Sequence, residues 1–283
     1  MKKVKKILVP TDFSPAAEVA IKYAMSFASD IEAEVVLYHT FVPIVSGFYT
    51  AKKSKEDNIE FNEKLIYRLT LIQEHFTKKY PNLIIKIQVD LGPSKTRILE
   101  FCKKNKMDLI IMGTKGANGL VEGVLGSFTS TVMTSASCPV LAIPLSGKYK
   151  KPEHITYATN YQKGDLLSIN FLTELNKNFN SSIKVVHVDE SDDSRELKKV
   201  AFNKYVFNIK KHVQNENISF KHISGDDLVE TLLNFTLKDK TDLLVISHVK
   251  EAGLFTSLFH KSLTKAIACK IHMPMLSIPI SPK

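Results

Sequence analysis

The residues best suited to chemistry lie between Met112 and Val132, in MGTKGANGLVEGVLGSFTSTV. An apolar run, Leu109-Ile110-Ile111-Met112, gives way there to Gly113 and Gly116. Gly126 stands directly before Ser127, where a segment with helical spacing opens. Glycine permits close backbone approach and positive φ, so exposed amides can curl around an anion. A helix starting at Ser127 adds its unpaired N–H groups and the positive end of its dipole at the same place. The chemistry implied is phosphate binding between a strand and a helix; the competing reading is turn punctuation alone. The order is not that of a P-loop, because Lys115 precedes Gly116, and it is not GxGxxG, because Lys115 stands two residues after Gly113. A second chemical group is Asp12, in VPTDFS. Its carboxylate suits an adenine amino group or a ribose hydroxyl, or else supports the turn before a helix capped by Ser14.

The elements that must position these residues follow from periodicity. Lys6 to Pro10 is a short apolar run, as expected of a strand buried on both faces. Ser14-Pro15 predicts a helix start, with Val19, Tyr23 and Phe27 on one stripe and Ala20, Ala24 and Ala28 beside it. Glu34 to Thr40 reads as a second strand, Phe41 to Asp57 as a less regular stretch, and Ile59 to about Lys79 as a helix. Leu83 to Leu91 is a third strand ended by Gly92-Pro93, and Ser94 is expected to cap a helix running to about Lys104. Asp108 to Met112, Ser127 to Ser135 and Val140 to Ile143 complete a strand, helix, strand series. This alternation implies a parallel sheet covered on both faces.

The chain then repeats itself. Ile155–Asn160 echoes Ile7–Asp12, and Val185–Val188 echoes Leu37–Thr40 with a frame uncertain by one residue. Gly225 answers Gly92, Asp242–Ile246 answers Asp108–Met112, and Met273–Pro279 answers Cys138–Pro144. The expectation is an α/β protein of two tandem flavodoxin/Rossmann-like domains, 1–146 and 151–283, joined by a linker within SGKYKK. Each would be a five-stranded parallel sheet of order 3-2-1-4-5 with helices on both faces. In such a sheet ligands bind beyond the carboxyl ends of strands one and four, where the order reverses. That puts Asp12 and Gly113 across one crevice.

Composition narrows the function classes. Net charge is +10, from 39 basic and 29 acidic residues, but the lysines are scattered in short pairs without interleaved aromatics. Nucleic-acid-binding signatures are absent, so surface solubility is the better reading of the charge. Cys102, Cys138 and Cys269 have no metal-type spacing and read as reduced cysteines. His248, His260 and His272 lack ligand spacing, so no metal site is expected. The basic start MKKVKK leads into an apolar run that ends at Pro10, too short for a signal-peptide core, and no run approaches a membrane span. The expected location is the cytoplasm, away from membrane and nucleic acid.

VPTDFS, together with Gly113-x2-Gly116-x9-Gly126-Ser127, resembles the ATP-binding type of universal stress protein. The spacing fits that family's G-x2-G-x9-G-[ST] pattern without a gap, and the resemblance covers both halves, as in tandem members. It implies that Asp12 meets the adenine, with Pro10 and Thr11 shaping that side and Thr40 flanking the base by its main chain. Met112, Gly113 and Gly116 would lie against ribose and phosphates, and Gly126, Ser127 and Phe128 would bind phosphate. Lys115 would approach a γ-phosphate or lie in solvent. The implied cofactor is ATP, with or without Mg2+ bridging its phosphates.

The second half departs from the pattern. Asn160 stands for Asp12, Ser247 for Gly113, Lys250 for Gly116 and His260-Lys261 for Gly126; Ser262 alone keeps the hydroxyl. It is expected to be degenerate, binding no ATP or a different anion. The leading expectation is a nucleotide-binding stress-response protein that couples occupancy to interactions or oligomeric state. The alternatives are a scaffold that holds no nucleotide and a weak ATPase. No catalytic residue is assigned: SGGxDS and HxGH motifs are missing, and no base cluster is assembled in the first half. The apolar last strands, Val140–Ile143 and Met275–Ile278, are sheet edges that seek partners. In the family such strands pair domains, which implies an intramolecular pseudo-dimer, with other faces left for a homodimer.

Overall fold

The computed structural model of the chain describes residues 3–43, 51–114, 126–161, 164–190, 195–249 and 272–280. Its first half runs β1 (Lys6–Pro10), α1 (Pro15–Ile31), β2 (Glu34–Phe41), α2 (Ala51–Lys79), β3 (Ile85–Leu91), α3 (Ser94–Lys104), β4 (Leu109–Gly113), α4 (Ser127–Ser135) and β5 (Val140–Ile143). The second half runs β6 (His154–Ala158), α5 (Asp165–Asn176), β7 (Ser182–Glu190), α6 (Arg195–His212), β8 (Ile218–Gly225), α7 (Leu228–Lys238), β9 (Leu243–Val249) and β10 (Met275–Ile280).

Within each half the strands pair in the expected order, and all those pairs are parallel. β5 and β10 then pair antiparallel, Met275 opposite Ala142 and Ser277 opposite Val140, giving one sheet of ten strands. Because only this central pair is antiparallel, the carboxyl ends of the two sets of five strands lie at opposite ends of the sheet. Any crevice of one half therefore opens away from that of the other.

Alternating strand residues divide the core into two layers. Ile7 and Val9 pack with Ala20, Phe27 and Leu69 on the α1/α2 face, while Leu8 packs with Ile98, Cys102 and Met133 on the α3/α4 face. Ser14 caps α1 as expected, its Oγ accepting from the Ala17 N–H at 3.3 Å, with Pro15 opening the helix. The fully buried Ala20, Ala24 and Ala28 let α1 lie close against the sheet. An acid at the start of the fourth strand anchors the first strand of each half. Asp108 Oδ2 accepts from the Lys5 and Lys6 amides, both at 3.0 Å, and Asp242 Oδ2 from the Glu153 and His154 amides at 2.8 and 2.9 Å.

Several expectations change: β2 runs on through Phe41, and β4 spans Leu109–Gly113 rather than Asp108–Met112, so Gly113 is its last residue. α2 starts at Ala51, inside the stretch read as irregular, because KKSKEDNIE carries no breaker although its apolar period is weak. β3 starts at Ile85 rather than Leu83. Ser94 does not cap α3: it is the first helical residue, Pro93 holds the cap position, and Ser94 Oγ instead accepts from Thr40 Oγ1 at 2.6 Å.

The SGKYKK stretch is tied down. Tyr149 stands edge-on to Tyr23, ring centroids 5.0 Å apart, and to Phe27, and its hydroxyl donates to Asp30. Burial first, then Asp30, holds this phenol far above its usual range. Phe27 also meets Phe179 at 5.6 Å, so one aromatic cluster spans both halves. Tyr149→Phe should lower unfolding free energy by about 1 kcal/mol through the lost hydrogen bond. Tyr149→Ala should cost about 3 kcal/mol, read as a shifted urea midpoint.

Candidate functional site

The crevice of the first half forms where β1 and β4 end side by side. Beyond β1 the chain turns sharply: Thr11 Oγ1 accepts from the Phe13 N–H at 3.0 Å, and Phe13 takes a positive φ of 60°. Asp12 is exposed, and its Oδ1 accepts from the Ser14 N–H at 3.0 Å. The supporting role weighed for Asp12 is thus real. That hydrogen bond fixes the carboxylate beside the turn after β1.

Beyond β4 the backbone closes a loop on itself. The Gly126 N–H donates to the Thr114 carbonyl at 2.8 Å, the Thr114 N–H to Ile143 at 3.0 Å, and Thr129 Oγ1 to the Gly113 carbonyl at 2.8 Å. Thr114 and Gly126 are therefore held side by side, and α4 begins beside the end of β4. Gly126 holds the cap position with no side-chain hydrogen bond to the helix, and Ser127 is exposed. Among the described residues no side chain caps the first-turn amides of α4, whose N–H groups and dipole suit an anion. Gly113 has a packing reason to be glycine: a Cβ there would stand 2.7 Å from the Ala16 carbonyl oxygen of α1.

Pro10 ends β1, and Thr11 and Asp12 follow it. Met112 is 4% exposed, its side chain inside the core layer, so only its main chain reaches the crevice. Thr40 is half-buried with its hydroxyl committed to Ser94, which leaves its main chain free of that task. Gly126, Ser127 and the half-buried Phe128 head α4, with Lys95 Nζ 6.0 Å above the Phe128 ring. Gly116 and Lys115 lie outside the described residues, as do Lys250, His260, Lys261, Ser262 and Cys269.

Sequence reading missed three neighbours of Asp12. His39 Nδ1 lies 2.7 Å from the Thr11 carbonyl, the His39 and Phe13 rings are 4.7 Å apart, and the Arg68 guanidinium sits 3.9 Å over Phe13. Burial lowers the His39 pKa; the Thr11 hydrogen bond opposes this, Arg68 adds to it and Asp12 opposes it. No spacing signals Arg68, which reaches the crevice from α2.

Residues 3–144 match the family model described as the universal stress protein family. The chain belongs to that family. Universal stress protein MJ0531 of Methanocaldococcus jannaschii is 35% identical over 156 residues, covering 53% of this chain and 84% of that protein. Universal stress protein MJ0577 of the same organism is 30% identical over 152 residues, covering 49% and 94%. A universal stress protein structure from Archaeoglobus fulgidus superposes with a TM-score of 0.68 at 14% identity, over 98% of this chain and 97% of that one. Relatives of single-domain length thus cover about half of this universal stress protein, and a structure of similar length shares the fold of the whole.

The second half repeats the frame with different contents. The Thr159 N–H donates to Val186 as Thr11 does to Tyr38, and the Tyr161 N–H donates to Thr159 Oγ1 as Phe13 does to Thr11. His187 Nδ1 lies 2.8 Å from the Thr159 carbonyl, repeating His39 and fixing the uncertain frame. Yet Asp189 stands two residues on, where the first half has Phe41, and His222 pairs with His187 where Val89 pairs with His39. Asp189 contacts both imidazoles. Burial works against its charge, but the His222 and His187 donors outweigh burial and hold it below the usual carboxylate range.

Between β6 and β9 the space is filled. Asp165 is fully buried at the head of α5 and accepts from Tyr157 at 2.7 Å, Tyr205 at 3.0 Å, Ser247 at 3.3 Å and, closer still, Thr159. Ser247 occupies the position of Gly113, and His248 beside it bonds Ser277 at 2.9 Å. Asp165→Ala should cost about 3 kcal/mol by leaving hydroxyls without an acceptor. Asp165→Asn should cost less, because it retains an acceptor. Urea titration checks both.

His39 predicts an acid-sensitive first half. Its folded pKa lies below that of the unfolded chain, so its contribution is complete above about pH 6.5 and is lost as pH falls through and below that value. The thermal midpoint should therefore drop more in the parent than in His39→Gln between about pH 7 and about pH 5.

Proposed function

We propose that the first half, residues 1–146, holds an adenine nucleotide across the ends of β1 and β4, and that occupancy is coupled to partner interactions or oligomeric state in the cytoplasm. The observation that carries this reading is the Thr114–Gly126 closure, which brings the start of α4, uncapped by any side chain among the described residues, to the crevice that Asp12 borders. Phosphates would take the Ser127 and Phe128 amides and the Ser127 hydroxyl. Asp12 would accept from the adenine amino group or a ribose hydroxyl, with Pro10 and Thr11 behind it, and the Thr40, Met112 and Gly113 main chains would line the cleft. Gly116 would complete the phosphate side. Mg2+, where present, would bridge phosphate oxygens rather than join a protein ligand cluster.

The second half, residues 151–283, holds no nucleotide in this reading. A buried carboxylate and the Ser247 side chain occupy the crevice, and phosphate would meet like charge there. The β5–β10 pairing supports reading the two halves as an intramolecular pseudo-dimer. Nucleotide binding and release, with at most slow hydrolysis, is the activity expected.

Calorimetric titration of the full chain with ATP tests this. One site per chain is expected. Ser127→Ala should weaken binding by about tenfold or more, the equivalent of one hydrogen bond to a charged group. Asp12→Asn, the residue present at position 160, preserves the acceptor for Ser14 while removing the charge, and should also weaken binding. Two equivalent sites, or an affinity indifferent to both changes, would overturn the assignment.

A further inference from the structure

Cys102 lies in the last turn of α3, and Cys138 directly precedes Pro139 and β5. They are 36 residues apart in the chain, yet their sulfur atoms stand 2.9 Å from each other, both reduced. That is inside the roughly 3.5–4.0 Å of ordinary non-bonded contact. It is roughly 0.9 Å beyond a disulfide bond length. Both belong to one packed layer with Ile98, Met107, Val132 and Ala136, so the approach is set by the core. The pair is buried but shallow: the exposed Ser137 places its Oγ 3.7 Å from Cys102 Sγ.

The position matters as much as the distance. Residues 103–137, between the two sulfurs, contain all of β4, the Thr114–Gly126 closure and all of α4. We propose that Cys102 and Cys138 are a redox site at which peroxide installs a reversible disulfide, closing a covalent ring around the segment that carries the anion-binding loop. Cys138, the more exposed at 6% against 1%, reacts first. Its thiolate attacks one peroxide oxygen; the O–O bond breaks, and the other oxygen leaves as water after taking a proton. The Cys102 sulfur then attacks the Cys138 sulfur, and the sulfenic oxygen departs as a second water. Two thiols and one hydrogen peroxide thus give one disulfide and two waters, and a dithiol reverses the reaction. This chemistry does not depend on what the loop binds.

The test uses the full chain with Cys269→Ala, treated with hydrogen peroxide, denatured, labelled with a maleimide and mapped by peptide mass. The expected result is one cross-linked peptide pair containing Cys102 and Cys138, short of two hydrogens and free of label, with both sites labelled again after dithiothreitol. The oxidised chain should also melt at higher temperature than the reduced one, because the cross-link restricts its unfolded ensemble. Maleimide at both cysteines after peroxide, or sulfinic acid accumulating on one without a cross-link, would overturn the proposal. So would the same loss of two hydrogens in a chain also carrying Cys102→Ala.

Discussion

A parallel sheet ends in a strand whose outer N–H and C=O groups have no partner, and both halves of this chain end in such a strand. β5 and β10 are short and apolar, and they satisfy one another through antiparallel pairing of Val140–Ala142 with Met275–Ser277. Much else follows from this contact. It removes two sheet edges at once, sets the two halves head to tail, and turns their crevices to opposite ends of the sheet. It also brings the end of α1 near the start of β7, so that Phe27, Tyr149 and Phe179 can form the aromatic cluster that spans the halves.

Within this frame the two crevices have diverged by substitution of contents rather than of backbone. The turn after the first strand, its threonine, the aromatic residue at positive φ and the histidine beneath it recur in both halves. In the first half the histidine packs under Phe13 with no carboxylate on its second nitrogen among the described residues, and burial disfavours its charge. In the second half Asp189 and His222 surround its counterpart with charged and polar groups. A glycine beside a helix start in one half is answered by a serine bonded to a buried carboxyl in the other. The same scaffold thus places a glycine beside the start of α4 in one half and a buried, hydrogen-bonded carboxyl with its serine partner in the other.

Gly113 shows why a glycine pattern alone underdetermines a site. Its lack of a side chain permits α1 to approach through Ala16, a packing demand that exists whether or not an anion binds. The Thr114–Gly126 backbone bond and the Thr129–Gly113 contact position the start of α4 beside the end of β4, which the glycine pattern does not record. The same segment is bracketed by the two cysteines, so a covalent change at the far end of α3 and the start of β5 bears on the ring that holds it.

The sequence by itself determined the α/β class, the internal repeat and the family, because these rest on local periodicity and on glycine spacing within contiguous stretches; the strand order was expected only as the common one for such a sheet, and the pairing of distant strands decided it. It placed Ser127–Ser135 and Val140–Ile143 to the residue. It misjudged the start of α2, where propensity without a clear apolar stripe extends the helix to Ala51, and the role of Ser94, whose hydroxyl is taken by Thr40 at the end of β2. Tertiary structure alone decided which distant residues meet. Arg68 over Phe13, the hydroxyls around Asp165, His222 beside His187 and the two sulfurs at 2.9 Å are all contacts between separate elements. Sequence spacing within one element records that element's own period; it carries no measure of the distance between side chains that different strands and helices bring together.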